Sequence, residues 1–140
     1  MVYKGEDPEI HRIVAIKTID LSTLDEDSID EMTDRFFREA ESAGVLAHPN
    51  IVTIYDCGEE HDLAYIAMEF IDGEDLEKYT KKGHLFPIRT TLSIIAGVAD
   101  ALDYAHSKNI VHRDIKPANI MKSKNGNKNH SNGHADMSHI

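Results

Sequence analysis

The sequence has no tryptophan, one cysteine and four prolines, and aromatic residues make up 6% of its 140 positions. With Cys57 alone, no internal disulfide can form, so any core must be held by apolar burial. Such cysteine usage fits a reducing compartment. No apolar run approaches the roughly 20 residues of a membrane-crossing helix, and the start, Met1 to Asp7, lacks the apolar stretch of a secretory leader. Basic residues are scarce too. Fifteen Lys and Arg stand against 25 Asp and Glu, a net charge of −10 that argues against nucleic acid or an anionic membrane as partner. Residues 20–34 and 56–77 contain no Lys or Arg at all. Both acidic runs read first as solvated helix and loop surface, and second as docking sites for basic peptides.

What is present suits one soluble domain: 41% hydrophobic and 29% charged residues. Residues 10–19, rich in Ile, Val and Thr after the Asp7-Pro8 turn, predict a buried strand with Lys17 near its end. Met32, Phe36, Ala40, Ala43 and Ala47 recur every three or four residues and predict a helix over about 28–46. Ser28 and Glu31 form a possible capping box, and His48-Pro49-Asn50 stops the helix. Two strands, 51–56 and 63–70, flank the polar turn 58–62, and a short polar helix is expected over 75–82. Pro87 opens a longer helix, 88–107, with an expected inward stripe of Leu92, Ile95, Ala99, Leu102 and Ala105. The order predicts an α+β fold, a sheet-bearing part leading into a helical part. Residues 122–140 are mostly Asn, His, Lys, Ser and Gly, and read as a disordered tail. His130, His134 and His139 could bind a metal there, although a solvated tail is the main reading.

Two constellations carry chemistry. Lys17 closes the strand sequence Val14-Ala15-Ile16-Lys17. A surface lysine ending a strand is the plain reading; an orienting carboxylate would give it more. Glu39, on the inward edge of the helical stripe, is that carboxylate, because a charge near a core requires a partner. Glu41 is the competing choice but faces away from the stripe. The second constellation is His112-Arg113-Asp114-Ile115-Lys116-Pro117-Ala118-Asn119. An Asp and an Asn five apart, with a Lys between, match the needs of phosphoryl transfer to a hydroxyl. Asp114 accepts the hydroxyl proton, Lys116 meets the phosphate charge and Asn119 holds a metal ion. Pro117 keeps the stretch out of a helix, so that the side chains can converge.

On these stretches the chain resembles the Ser/Thr protein kinases of the Hanks type, in their bacterial branch. Arg35-Phe36-Phe37-Arg38-Glu39, His48-Pro49-Asn50-Ile51-Val52, Met68-Glu69-Phe70-Ile71-Asp72-Gly73 and 98–106 share its order and intervals across residues 2–121. The resemblance implies an incomplete two-lobe kinase fold, with 1–71 as first lobe and hinge and 72–121 as the start of the second. It implies ATP and Mg²⁺ as cofactors, protein Ser/Thr hydroxyls as substrates, and a cytoplasmic location. By the same resemblance Lys17 contacts the nucleotide phosphates with Glu39 as its helix partner, and Asn119 is a metal ligand. Ala15 and Met121 sandwich the adenine, Met68 is the gatekeeper beside it, and Glu69 to Ile71 form the hinge. For Ala15, Met68 and Met121, core packing is an equally good reading from the residues alone, and His112 is read as structural.

The chain also departs from the pattern. The family's Gly-rich loop should precede Val2-Tyr3-Lys4, and Asn119-Ile120-Met121 should lead through a turn at Asn125-Gly126 to an Asp-Phe-Gly strand. Lys128 to His134 stands in that strand's place, which suggests an out-of-frame or boundary segment from about residue 128. Two functions are therefore weighed, an ATP-dependent Ser/Thr kinase domain and an inactive kinase-like fragment that serves as a binding module.

Overall fold

The computed structural model describes residues 1–124 and 135–137, the latter as backbone only. The chain divides into two compact units, Met1–Val45 with Thr53–Phe70, and Leu46–Val52 with Ile71–Ile140.

The first unit is a four-stranded antiparallel sheet with one helix. Its elements are β1 (Val2–Asp7), β2 (Arg12–Asp20), α1 (Glu26–Gly44), β3 (Ile54–Glu60) and β4 (Leu63–Glu69), with sheet order β1-β2-β4-β3. The predicted strand over 10–19 begins at Arg12 because Ile10 and His11 form the hairpin turn, His11 with a φ of +53°. In β2, Ala15 faces Met68 and Lys17 faces Ile66 across the ladder, so these alternate residues share one side of the sheet. On α1, Phe36, Ala40 and Ala43 are buried, as the stripe predicts. Its ends differ from the prediction: Met32 is 41% exposed and Ala47 lies beyond the helix. Nor does Ser28 cap it. The N-cap is Asp25, and the Ser28 N–H already lies inside the first turn, donating to the Asp25 carbonyl at 2.8 Å.

The second unit is built on α2 (Ile88–Ser107), whose bounds are those predicted. Its buried stripe is the predicted one only in part: Ala105 is buried and Leu102 packs beside the core. Ile94, Val98, Ala101 and Ala105 form the core with Leu46, Ile51 and Ile120, whereas Leu92 and Ile95 are 58% and 56% exposed. The phase is decided by the segment Leu46–Val52, which packs on the helix where Gly97 has no side chain. A Cβ there would sit 3.1 Å from Asn50 Nδ2, which donates to the Gly97 carbonyl at 3.0 Å. Tyr104 Oη accepts from the Ala47 N–H at 3.2 Å, and the His48 ring lies against both Tyr104 and Asp100. The other apolar face of α2 lines an open groove of about 670 Å³ with Leu76, Tyr79 and Phe86.

The helix expected over 75–82 is reduced to a 3₁₀ turn, Glu77–Thr80. The chain before it is drawn into other bonds: β5 (Gly73–Asp75) pairs with β6 (Ile120–Ser123), and the Leu76 N–H donates to Pro117 and Ile120 carbonyls at 3.0 Å. Within the segment read as a disordered tail, residues 122–123 belong to β6. Backbone of β7 (Ala135–Met137) pairs with β6 as well, Met121 opposite Asp136. The turn expected at Asn125-Gly126 and the histidines 130, 134 and 139 lie outside the described residues.

Candidate active site

Each unit brings one of the two constellations together. In the first, β2 delivers Lys17 and the inward edge of α1 delivers Glu39. Lys17 Nζ lies 3.0 Å from Glu39 Oε1, with side chains 22% and 31% exposed. The Phe36 ring, one helical turn from Glu39, sits 5.7 Å below the same ammonium. A half-buried ammonium is thus fixed by a carboxylate and an aromatic face, while Glu41 stays exposed. Ala15 is half-buried and Met68 is 8% exposed, both on the Lys17 side of the sheet. Glu69 ends β4, and its N–H is committed to the Thr53 carbonyl at 2.8 Å, so it offers no free donor. Its carboxylate takes the Thr53 N–H at 3.3 Å. Ile71 is half-buried in the second unit.

The second unit holds the loop 112–119. It is organised by bonds within itself rather than by distant elements. His112 is buried and its Nδ1 accepts the Asp114 N–H at 3.2 Å. This fixes the ring as the tautomer, or state, with a bare Nδ1. Arg113 takes a φ of +65°, a turn sharp enough to reverse the chain between His112 and Asp114. Pro117 starts a 3₁₀ turn, Pro117–Asn119, that folds Asn119 back. Asn119 is buried, and its Nδ2 donates to the Asp114 carbonyl at 2.9 Å and to Asp114 Oδ2 at 3.0 Å. Lys116 Nζ reaches the same Oδ2 at 2.8 Å. Both side-chain donors therefore meet Asp114 on Oδ2. The Lys116 ammonium, and after it the Asn119 amide, hold the Asp114 carboxyl below the ordinary carboxylate range. Met121 follows in β6, half-buried, between Asp75 and Asp136 in register.

The sequence placed Asp114, Lys116 and Asn119 in one loop, and the geometry adds their direct bonds. It did not reveal that His112 supports Asp114 through the main chain. A His two residues before an Asp, with a proline following, was the available signal. The sequence also did not foresee that Tyr104, Asp100 and Gly97 would anchor the segment 46–52.

The chain matches the protein kinase domain model over residues 1–131, which extends beyond the loop 112–119 into the 122–140 segment. It is 46% identical over 127 residues to serine/threonine-protein kinase PrkC of Bacillus subtilis, covering 90% of this chain and 19% of that protein. Against the probable serine/threonine-protein kinase PknB of Lactococcus lactis the identity is 42% over 126 residues, covering 89% and 20%. Against serine/threonine-protein kinase PknB of Mycolicibacterium smegmatis it is 40% over 128 residues, again 89% and 20%. The chain spans about one fifth of the length of these relatives. A self-organised Asp114–Lys116–Asn119 loop, a Lys17–Glu39 pair and a family match over 131 of 140 positions lead to one conclusion: the chain belongs to the protein kinase domain family.

Proposed function

We propose that this chain is part of a Ser/Thr protein kinase catalytic domain that moves the γ-phosphoryl group of ATP to protein hydroxyls. The observation that carries the reading is Asp114, a carboxylate kept ionised by Lys116 and Asn119, with both bonds on Oδ2. In this reading Asp114 Oδ1 receives the hydrogen bond of the incoming Ser or Thr hydroxyl and orients its oxygen. As that oxygen bonds to the γ-phosphorus, its bond to ADP breaks and the hydroxyl proton passes to Asp114. Lys116 faces the phosphate charge. Lys17, held by Glu39, contacts the other phosphates, while Ala15, Met68 and Met121 make apolar contacts with the base. Glu69 and Ile71 supply main-chain groups to its edge, from Glu69 the carbonyl, since its N–H is already bonded. The use of ATP makes the cytoplasm the proposed location; separately, among the described residues no helix is long and apolar enough to cross a membrane.

The family's reaction uses Mg²⁺, and the described residues do not by themselves make a site for it. Asn119 Nδ2 donates to Asp114, and the Asp114 carboxylate is already matched by Lys116. Among the described residues no three His, Cys, Asp or Glu stand together to hold a metal. This favours a second reading for the 140-residue chain, a kinase-like fragment that binds a partner without turnover. One assay separates the two: purified chain with Mg-ATP and a generic basic protein substrate, beside Asp114→Asn. Phosphotransfer that Asp114→Asn lowers at least a hundredfold establishes the kinase; equal background in both establishes the fragment.

A further inference from the structure

The segment Leu46–Val52 belongs to the second unit, although the chain on both sides of it belongs to the first. Leu46 and Ile51 hold it by burial in the α2 core. Three polar contacts complete the attachment. Asn50 Nδ2 donates to the Gly97 carbonyl, the Ala47 N–H donates to Tyr104 Oη, and the His48 ring meets Asp100. Within the segment only the imidazole changes charge in the range where histidine titrates, roughly pH 5 to 8. Both of its nitrogens are in use. Nδ1 accepts the Asn50 N–H at 3.0 Å and so carries no proton. Nε2 lies 3.1 Å from Asp100 Oδ2 and donates its proton there. The His48 side chain is 10% exposed, that of Asp100 73%. The other titratable group facing the ring is Tyr104, with 5.2 Å between ring centres. Lys108, the C-cap residue of α2, holds its ammonium 5.9 Å from the Tyr104 ring.

We propose that His48 is a pH-sensitive catch, and that a second proton on its ring releases the main chain of the segment at Asn50. That proton can enter only at Nδ1, and an N–H cannot accept the Asn50 N–H. The charged ring and the Asn50 bond therefore exclude each other. Asp100 favours the exchange, because the charged ring keeps its bond to Oδ2 and gains an ion pair. The segment also offers the new Nδ1–H an acceptor. Asn50 is 6% exposed, and its Oδ1 has no hydrogen-bond partner among the described residues. With the ring neutral, Nδ1 takes the Asn50 N–H and Oδ1 is left over. With the ring charged, Oδ1 is the group in the same residue to which Nδ1–H can turn. The loosening is local. Leu46 and Ile51 stay in the core, and the Ala47 N–H keeps Tyr104 Oη, neither of which depends on the charge of His48. This inference is independent of the kinase reading.

An NMR titration of the 140-residue chain from about pH 8 to about pH 5 tests it. At the upper end the ring nitrogen shifts should show a bare Nδ1 and a protonated Nε2. As the pH falls, the His48 ring and the Asn50 amide should move with one midpoint. Protection of the Asn50 amide against hydrogen exchange should drop at least about tenfold, while the Ala101 amide in the α2 core keeps its protection. His48→Asn places a side-chain oxygen where it can take the Asn50 N–H and cannot titrate, so Asn50 should stay protected throughout. Asp100→Asn keeps an acceptor for Nε2–H without the charge, and should move the shared midpoint to lower pH. A ring protonated on Nδ1 at the upper end overturns the proposal, as does an Asn50 amide that is unprotected there or does not follow the ring. Equal loss at Ala101 would mean general acid unfolding and equally overturns it. So does an Asn50 amide in His48→Asn that loses protection like the parent, or a midpoint that Asp100→Asn leaves unmoved. Should His48→Asn fail to fold, the parent and Asp100→Asn decide the matter.

Discussion

The Lys17–Glu39 pair and the Asp114–Lys116–Asn119 loop use the same kinds of charge and are held by different means. Lys17 and Glu39 come from a strand and a helix, 22 residues apart, and meet half-buried because a sheet packs on a helix. Asp114 meets Lys116 and Asn119 within six consecutive residues, largely in solvent for the first two, through a left-handed turn at Arg113 and the 3₁₀ turn at Pro117. The first arrangement depends on tertiary packing and must weaken whenever the helix loosens. The second is written into local chain geometry, with His112 and Asn119 as its buried anchors. Loss of packing should therefore disperse the first before the second.

The largest expected effect tests the packing on which the second unit rests. Ile94 is 4% exposed and belongs to the α2 core, whereas Leu92 is 58% exposed on the same helix. Ile94→Ala should cost about 2–4 kcal/mol by lost transfer and a cavity, and Leu92→Ala no more than about 0.5 kcal/mol. Urea denaturation followed by circular dichroism measures both. Equal losses would mean that the helix buries the face expected from the sequence rather than the one facing Leu46 and Ile51.

Next in size is Glu39→Ala. It leaves the Lys17 ammonium half-buried over Phe36 without its carboxylate. Pairs this shielded fall between exposed and buried ones, so a loss of about 1–2 kcal/mol is expected. The loop 112–119 should be untouched, as read from the Asp114 and Asn119 amide resonances by NMR. Broadening or shifts there would show that the two constellations do not fold independently.

How much of this was legible depended on range. The loop 112–119 could be read because every bond that shapes it falls inside the motif, and Lys17–Glu39 because helical phase alone sets Glu39 on the edge of the Phe36 stripe. The α2 stripe was partly misread because apolar residues occur on both of its faces. Periodicity cannot choose between Leu92-Ile95-Ala99 and Ile94-Val98-Ala101. The choice is made by Asn50 approaching Gly97, a contact 47 residues away in sequence. The 75–82 helix failed for a related reason. Asp75 Oδ1 takes the Glu77 N–H, Leu76 bonds to the Pro117 and Ile120 carbonyls, and Gly83 with a φ of +89° ends the segment. The end of β6 and all of β7 fall in the 122–140 segment, with no apolar alternation to announce them; main-chain pairing with β5 places β6.

The smallest effect sharpens the comparison most, because it isolates one local bond. Lys116 is the leading cause of the depressed Asp114 carboxyl, and both side chains are more than half exposed, so no stability change of note is expected. The sign is fixed all the same. An Asp with a folded-state pKa below its unfolded value adds stability above the unfolded value, near 3.9, and that stability is lost as pH falls through the folded one. Lys116→Met removes the ammonium and leaves only the Asn119 amide on Oδ2. The Asp114 carboxyl should then titrate at higher pH, part of the way back to an ordinary aspartate, as followed by its carboxyl carbon shift in NMR. Were Asp114 the base in phosphotransfer, the acid limb of the rate profile would move up by the same amount in any longer kinase that contains this loop. A titration unchanged by Lys116→Met would mean that Asn119 and the His112-anchored backbone hold the carboxylate alone. The loop would then be even more local than the Lys116 contact suggests.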